Sequence, residues 1–177
     1  RTGIGSGGPY DRMADSPEVL KLQGDWILQQ LGNLEEQVAE QDERLASTPT
    51  VAPVRGLLTD AFGNRKDPFT GRLAAHTGLD ISARRGTPVE APAAGVVVVT
   101  ETNGGLGKMV RISHGFGFTT VYGHLDSIAV HHGDEIERGQ GIGTLGNTGR
   151  ATGPHLHYEV HVDGKPVNPL YYILDTE

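Results

Sequence analysis

Cysteine is absent from all 177 residues, which rules out a disulfide framework and any metal site built on thiolate. The same absence leaves the redox compartment open, because a chain without cysteine persists in either environment. No apolar run approaches the roughly 18 consecutive residues of a membrane-spanning helix, and no signal peptide opens the chain. Positive charge is in deficit: 15 Lys and Arg against 22 Asp and Glu give a formal charge of −7, so the basic footprint that nucleic acid demands is missing. An initiator methionine is missing too. A start at Arg1 points to a fragment or processed form, from which a targeting or anchoring segment could have been removed. Internal repeats and low-complexity tracts are likewise not visible.

What is present falls into two unlike parts. Residues 1–15 form an N-terminal segment without a clear period. From Ser16 the pattern is helical: Ser16 suits the N-cap, Pro17 the first helical position, and Glu18 complements the helix dipole. Leu20, Gly24, Ile27, Leu31, Leu34, Val38, Gln41 and Leu45 follow at alternating steps of four and three, and six of these eight are apolar. This predicts a helical segment over 16–46, either a coiled-coil seam for self-association or an amphipathic helix lying on its own domain. The stretch 47–55, with Pro49 and Pro53, ends the helix and reads as a short, stiff linker.

Beyond the linker the punctuation is that of strands. Gly95 to Thr102 carries Val96 to Val99, Lys108 to Ser113 alternates, Phe118 to Tyr122 follows, and glycines intervene throughout. The 26 glycines and 10 prolines, with recurrent short apolar runs, favour one strand-rich domain large enough to bury a core. A mostly antiparallel sheet is expected, with its loops gathered around a metal.

The metal reading starts from His155-Leu156-His157. On a strand these two histidines point the same way with Cα atoms about 6.6 Å apart, followed on that face by Glu159 and His161, while Leu156, Tyr158, Val160 and Val162 take the core face. His76 and Asp80 would stand about 13 Å apart on a straight strand, so their segment must bend, and Gly78 between them permits it before a strand starting near Leu79. Two imidazoles and one carboxylate are the ligand set of a catalytic zinc with a fourth position open to water. Only one histidine of the HLH pair need bind.

The order HTGLD (76–80), GTPVEAPAAGVV (86–97), YGHL (122–125), GDEIERGQGIGTLGNTG (133–149) and GPHLHYEV (153–160) resembles the M23 family of zinc peptidases, of the lysostaphin or LytM type. The likeness covers roughly Gly56 to Leu174, and the upstream helix, GGPY (7–10) and DAFGNRKDPFTG (60–71) also resemble cell-envelope members. It implies a mainly β metallopeptidase domain over 56–177, a small antiparallel β-sheet with a groove, preceded by the long helix, so α+β overall. It implies Zn2+ held by His76, Asp80 and His157, with His124 and His155 as the catalytic histidines. It further implies hydrolysis of peptidoglycan stem-peptide crosslinks, of the D,D-endopeptidase type, in the bacterial cell envelope on the periplasmic side. A membrane anchor would lie outside this chain, and the helix would contact another copy or an envelope protein. The alternative within the family is a non-catalytic LytM-like module that binds and activates a cell-wall amidase. Its members have typically lost metal ligands or catalytic histidines, and this chain has lost none.

Other polar residues have simpler readings. His114 in RISHG is expected to be structural or to support the site from behind, and His131 and His132 to be solvated loop residues. His161 lies too far along the strand from His157 to share its ion. Glu159 could orient a ligand, although a solvated or cross-strand carboxylate is the stronger expectation. Whether Asn64, Arg65 or the region of Tyr10 shields the groove in a latent form stays open at this level.

Overall fold

The computed structural model describes residues 16–173; residues 1–15, with Tyr10 and the GGPY motif, and residues 174–177 lie outside it. Two compact units divide between Glu43 and Arg44. The first is most of helix α1, Pro17–Ser47. Ser16 caps it: its Oγ accepts from the Val19 amide at 3.3 Å, and its carbonyl accepts from Leu20 at 3.1 Å. Along α1 the large apolar side chains, Leu20, Trp26, Ile27, Leu31, Leu34 and Val38 among them, are exposed.

In the second unit the terminal carbonyls of α1 find partners. Arg138 Nη2 donates to the carbonyls of Leu45, Ala46 and Thr48 at 2.6, 3.2 and 3.2 Å, a cation against the negative end of the helix dipole. Residues 47–55, expected as a short, stiff linker, pack within the second unit. Pro49, Pro53 and Val54 are buried, and the Pro53 carbonyl accepts from the Glu90 amide at 2.8 Å. Two prolines hold the segment to a restricted, extended course and remove two donors that burial would have to satisfy.

Twelve strands follow: β1 Leu57–Asp60, β2 Gly63–Lys66, β3 Leu73–His76, β4 Leu79–Ser82, β5 Pro88–Glu90, β6 Gly95–Asn103, β7 Gly107–Gly115, β8 Phe118–Ile128, β9 Glu135–Ile136, β10 Gly141–Leu145, β11 His155–Val162 and β12 Lys165–Val167, then a 3-10 turn at Pro169–Tyr171. Strands β2 and β3 form a separate hairpin, and the other ten make one antiparallel sheet with the path β1-β4-β11-β8-β7-β6-β9, to which β10, β5 and β12 attach. The long helix before a strand-rich antiparallel sheet is the fold class expected from sequence. One face of the central strands builds the core, where Val110, Ile112, Tyr122, Leu125, Leu156 and Tyr158 are wholly buried. The alternate residues of β11 and β8 are thereby turned to the opposite face.

One break in alternation matters. Tyr122 and Leu125 both face the core although they are three positions apart, an odd step on a strand, and the pairing of β8 with β7 shifts between Lys108 and Val110. The bulge so formed carries Gly123 and His124 to the polar face. His124 takes φ 60°, a left-handed conformation uncommon outside glycine and costing about 1–3 kcal/mol. Its amide is fixed by the Leu106 carbonyl at 2.6 Å.

Candidate metal centre

Three elements bring the donor atoms together. Strand β11 lies between β4 and β8, with His157 opposite Asp80 on one side and Gly123 on the other. The hairpin β2–β3 ends at His76, and only Thr77 and Gly78 connect it to β4. Gly78 does bend the chain between His76 and Asp80, but for want of space: a methyl group there would overlap the Tyr158 carbonyl of β11, and no left-handed φ is involved.

His76 Nε2 lies 3.1 Å from Asp80 Oδ1 and 3.1 Å from His157 Nδ1, and the last two are 2.8 Å apart. All three residues are buried. Hydrogen-bond partners that can only accept decide which ring nitrogens are bare. His76 Nδ1–H donates to the Ala61 carbonyl at 2.8 Å and His157 Nε2–H to Glu159 Oε1 at 3.0 Å, so in the neutral rings His76 Nε2 and His157 Nδ1 are the nitrogens left to bind a metal. These two nitrogens converge on one Asp80 oxygen, so a cation could take the place of the protons that otherwise lie between them. Tetrahedral ligands held about 2.0–2.1 Å from an ion stand about 3.3 Å apart, close to the separations here, so this donor set fits a divalent transition metal.

Electrostatics point the same way. Burial would raise the Asp80 carboxyl, yet hydrogen bonds with His157 and His76 hold it far below the usual carboxylate range. Burial would lower His157, yet the Asp80 and Glu159 carboxylates beside it push it up to about 9. The centre thus carries a negative field that favours positive charge.

Glu159, for which a solvated or cross-strand role was the stronger expectation, is buried and accepts from His157, from His161 Nε2 at 2.6 Å and from Thr77 Oγ1. Burial would raise its carboxyl, but these donors hold it at about 2. It fixes the His157 ring and tautomer, as carboxylates behind metal-binding histidines do. The alternating His157, Glu159, His161 pattern on one strand face was the available signal, since the face is legible but not its closure by Thr77.

His124 and His155 face the same centre, their ring centroids 4.6 Å apart, and His124 lies 6.1 Å from the His157 ring. Their Nδ1–H groups donate to the carbonyls of Thr148 and Gly153, both at 2.8 Å. Each Nε2 is therefore bare; that of His155 is 3.8 Å from Asp80 Oδ1, beyond hydrogen-bond range. Burial, then the neighbouring His155 and His157, lower His124 to about 4. Sequence reasoning missed the carbonyls of Ala61, Thr148 and Gly153, because backbone acceptors leave no trace in side-chain pattern.

A cavity of about 380 Å³ opens over these groups, walled by Phe69 and Arg150 as well as Asp80, His124, His155 and His157. A second, of about 300 Å³, shares Arg65, Asp80 and His155 with it and runs on past Asp60 and Ser82. Asn64 is exposed and lines neither. The remaining histidines stand apart from the centre. His114 is buried between the Ala94 carbonyl and Thr120 Oγ1, each at 2.7 Å, with Tyr122 OH 2.8 Å beyond Thr120. His131 and His132 are exposed in a turn.

The family model for peptidase family M23 matches residues 74–169. The peptidoglycan DD-endopeptidase ShyA of Vibrio cholerae is 49% identical over 106 residues, 60% of this chain and 25% of that protein. The DD-carboxypeptidase/endopeptidase Mpg of Neisseria meningitidis is 43% identical over 119 residues, 67% of this chain and 27% of that one. The chain thus spans about a quarter of the length of these curated relatives. Among solved structures, a zinc-containing peptidase from Vibrio cholerae superposes with a TM-score of 0.66 at 37% identity, covering 73% of this chain and 41% of that one. The catalytic domain of lysostaphin from Staphylococcus simulans superposes at 0.59 with 28% identity, covering 64% of this chain and 88% of that one.

Proposed function

Since the chain belongs to peptidase family M23, we propose that it is a zinc metalloendopeptidase that hydrolyses peptide crosslinks of bacterial peptidoglycan, of the D,D-endopeptidase type. The observation that carries this reading is the pair of bare Nε2 atoms, on His124 and His155, turned towards a buried group of two imidazoles and one carboxylate. ShyA is a peptidoglycan DD-endopeptidase, and the groove, open along both sides of Asp80 and His155, accepts an extended peptide. The cell envelope, on its periplasmic side, follows from that substrate.

In this proposal His76, Asp80 and His157 hold the zinc, while Glu159 keeps His157 in the tautomer that offers Nδ1. When bound there, with one carboxylate among the residues holding it, zinc would remain net positive and would supply Lewis-acid polarisation of a carbonyl and a lowering of water's pKa from ~15.7 towards ~7. A bare Nε2, on either His124 or His155, takes the attacking water's proton. The imidazolium so formed faces the oxygen on which charge develops, then returns the proton to the amine nitrogen as the C–N bond breaks. Each Nδ1–H, tied to a carbonyl, holds its ring in place throughout. Such acid–base help is worth about 10²–10⁴-fold.

The test is digestion of purified crosslinked peptidoglycan by the wild type and by His155→Ala, with zinc content measured for both. The wild type should release uncrosslinked stem peptides, and His155→Ala should keep its zinc and lose at least ~10²-fold in rate. Loss of zinc in His155→Ala would overturn the division between ligands and catalytic histidines. A wild type that holds zinc and cuts nothing would favour the amidase-activating module.

A further inference from the structure

Resting on the metallopeptidase reading, we infer that Arg65 is a positioning residue that withholds one oxygen of Asp80 from the metal. Strand β1 is paired with β4 so that Asp60 stands opposite Asp80, an arrangement of like charges that is unfavourable by itself. The hairpin strand β2 delivers Arg65 between them. Its Nη1 donates to Asp60 Oδ2 at 2.6 Å and its Nη2 to Asp80 Oδ2 at 3.3 Å. The planar fork, always charged, spans two carboxylates as a single ammonium cannot.

The two oxygens of Asp80 are thereby divided. Oδ1 touches His76 Nε2 and His157 Nδ1, whereas Oδ2 belongs to Arg65. A carboxylate with both oxygens free can bind a metal through both, which fills a position that water and substrate need. Arg65 prevents this and leaves the coordination open. Its own side chain lines both cavities beside the centre and keeps 28% of its surface exposed, so burial is not its main office. An ion pair that merely braced the hairpin would affect unfolding and leave the metal untouched.

The test uses the full chain with Co2+ in place of zinc, comparing wild type, Arg65→Ala and Arg65→Lys. Cobalt's visible d–d absorption weakens as its coordination number rises. Both variants should show weaker bands than the wild type, with kcat on a crosslinked peptide lower by about 10–100-fold and KM within about two-fold. The lysine variant keeps stem and charge at a partly exposed position, so it provides the comparison if Arg65→Ala fails to fold. Unchanged cobalt bands and kcat in Arg65→Lys, with only the unfolding temperature moved, would overturn the inference. A wild type that takes up cobalt but cuts nothing would overturn the peptidase reading alone, since the spectra would still decide Arg65. One that takes up no metal would overturn both.

Discussion

At the scale of single residues, the candidate centre is organised by what stands behind each donor. His76 is held by the Ala61 carbonyl, His157 by Glu159, and Asp80 by Arg65. Glu159 is the one whose effect can be isolated, because glutamine keeps its shape and an acceptor for His157 Nε2–H while removing the charge. Glu159→Gln should weaken zinc binding by about 10–100-fold, read by competition with a chromogenic chelator, while the fold survives. An affinity equal to wild type would mean that the carboxylate contributes nothing to the centre. The face on which Glu159 lies was legible from period-two alternation alone. Its burial was not, because Thr77 closes over it from a position that the strand pattern does not connect.

At the scale of elements, the connection between β3 and β4 and the bulge in β8 do most to place the site. Two residues, Thr77 and Gly78, carry the chain from His76 into β4, and the close passage of Gly78 against Tyr158 lets β4 lie on β11 in register. Gly78→Ala forces a methyl into that contact. Overpacking of this kind costs about 1–3 kcal/mol, so the apo chain should melt several degrees lower, and a shifted β4 should weaken metal binding as well. Melting and metal affinity equal to wild type would show that the strands can part without consequence. Strands β6, β7, β8 and β11 announce themselves by alternation or by runs of valine, whereas the hairpin GNRK and LAAH has too few apolar residues to do so. Its strands pair with each other, and its end at His76 is fixed by the Ala61 carbonyl.

At the scale of the whole molecule, the N-terminal helix carries a row of exposed apolar side chains. Ile27, Leu31, Leu34 and Val38 are all about half exposed and recur at heptad spacing. The expected outcome is concentration-dependent association of the full chain in analytical ultracentrifugation, abolished by Leu31→Glu with Leu34→Glu. A monomer at all concentrations would remove self-association from consideration.

What the sequence determined by itself were the properties that depend on local order along the chain: the helix with its cap at Ser16, the alternating strands, and the residue types of the centre, His76, Asp80, His124, His155 and His157. The helix and strands follow from periods of 3.6 and 2, whereas the five site residues are what the ordered likeness to M23 peptidases implies, and neither signal needs knowledge of what lies across the fold. Only the tertiary structure decided how these residues face one another. Which nitrogen of His76 and of His124 is held by a carbonyl depends on Ala61 and Thr148, 15 and 24 residues away, the turn of His124 onto the polar face depends on a bulge against β7, and the opening left beside Asp80 depends on an arginine brought from another sheet. These are contacts between segments whose adjacency is set by pairing register and burial, and a one-dimensional pattern carries no record of them.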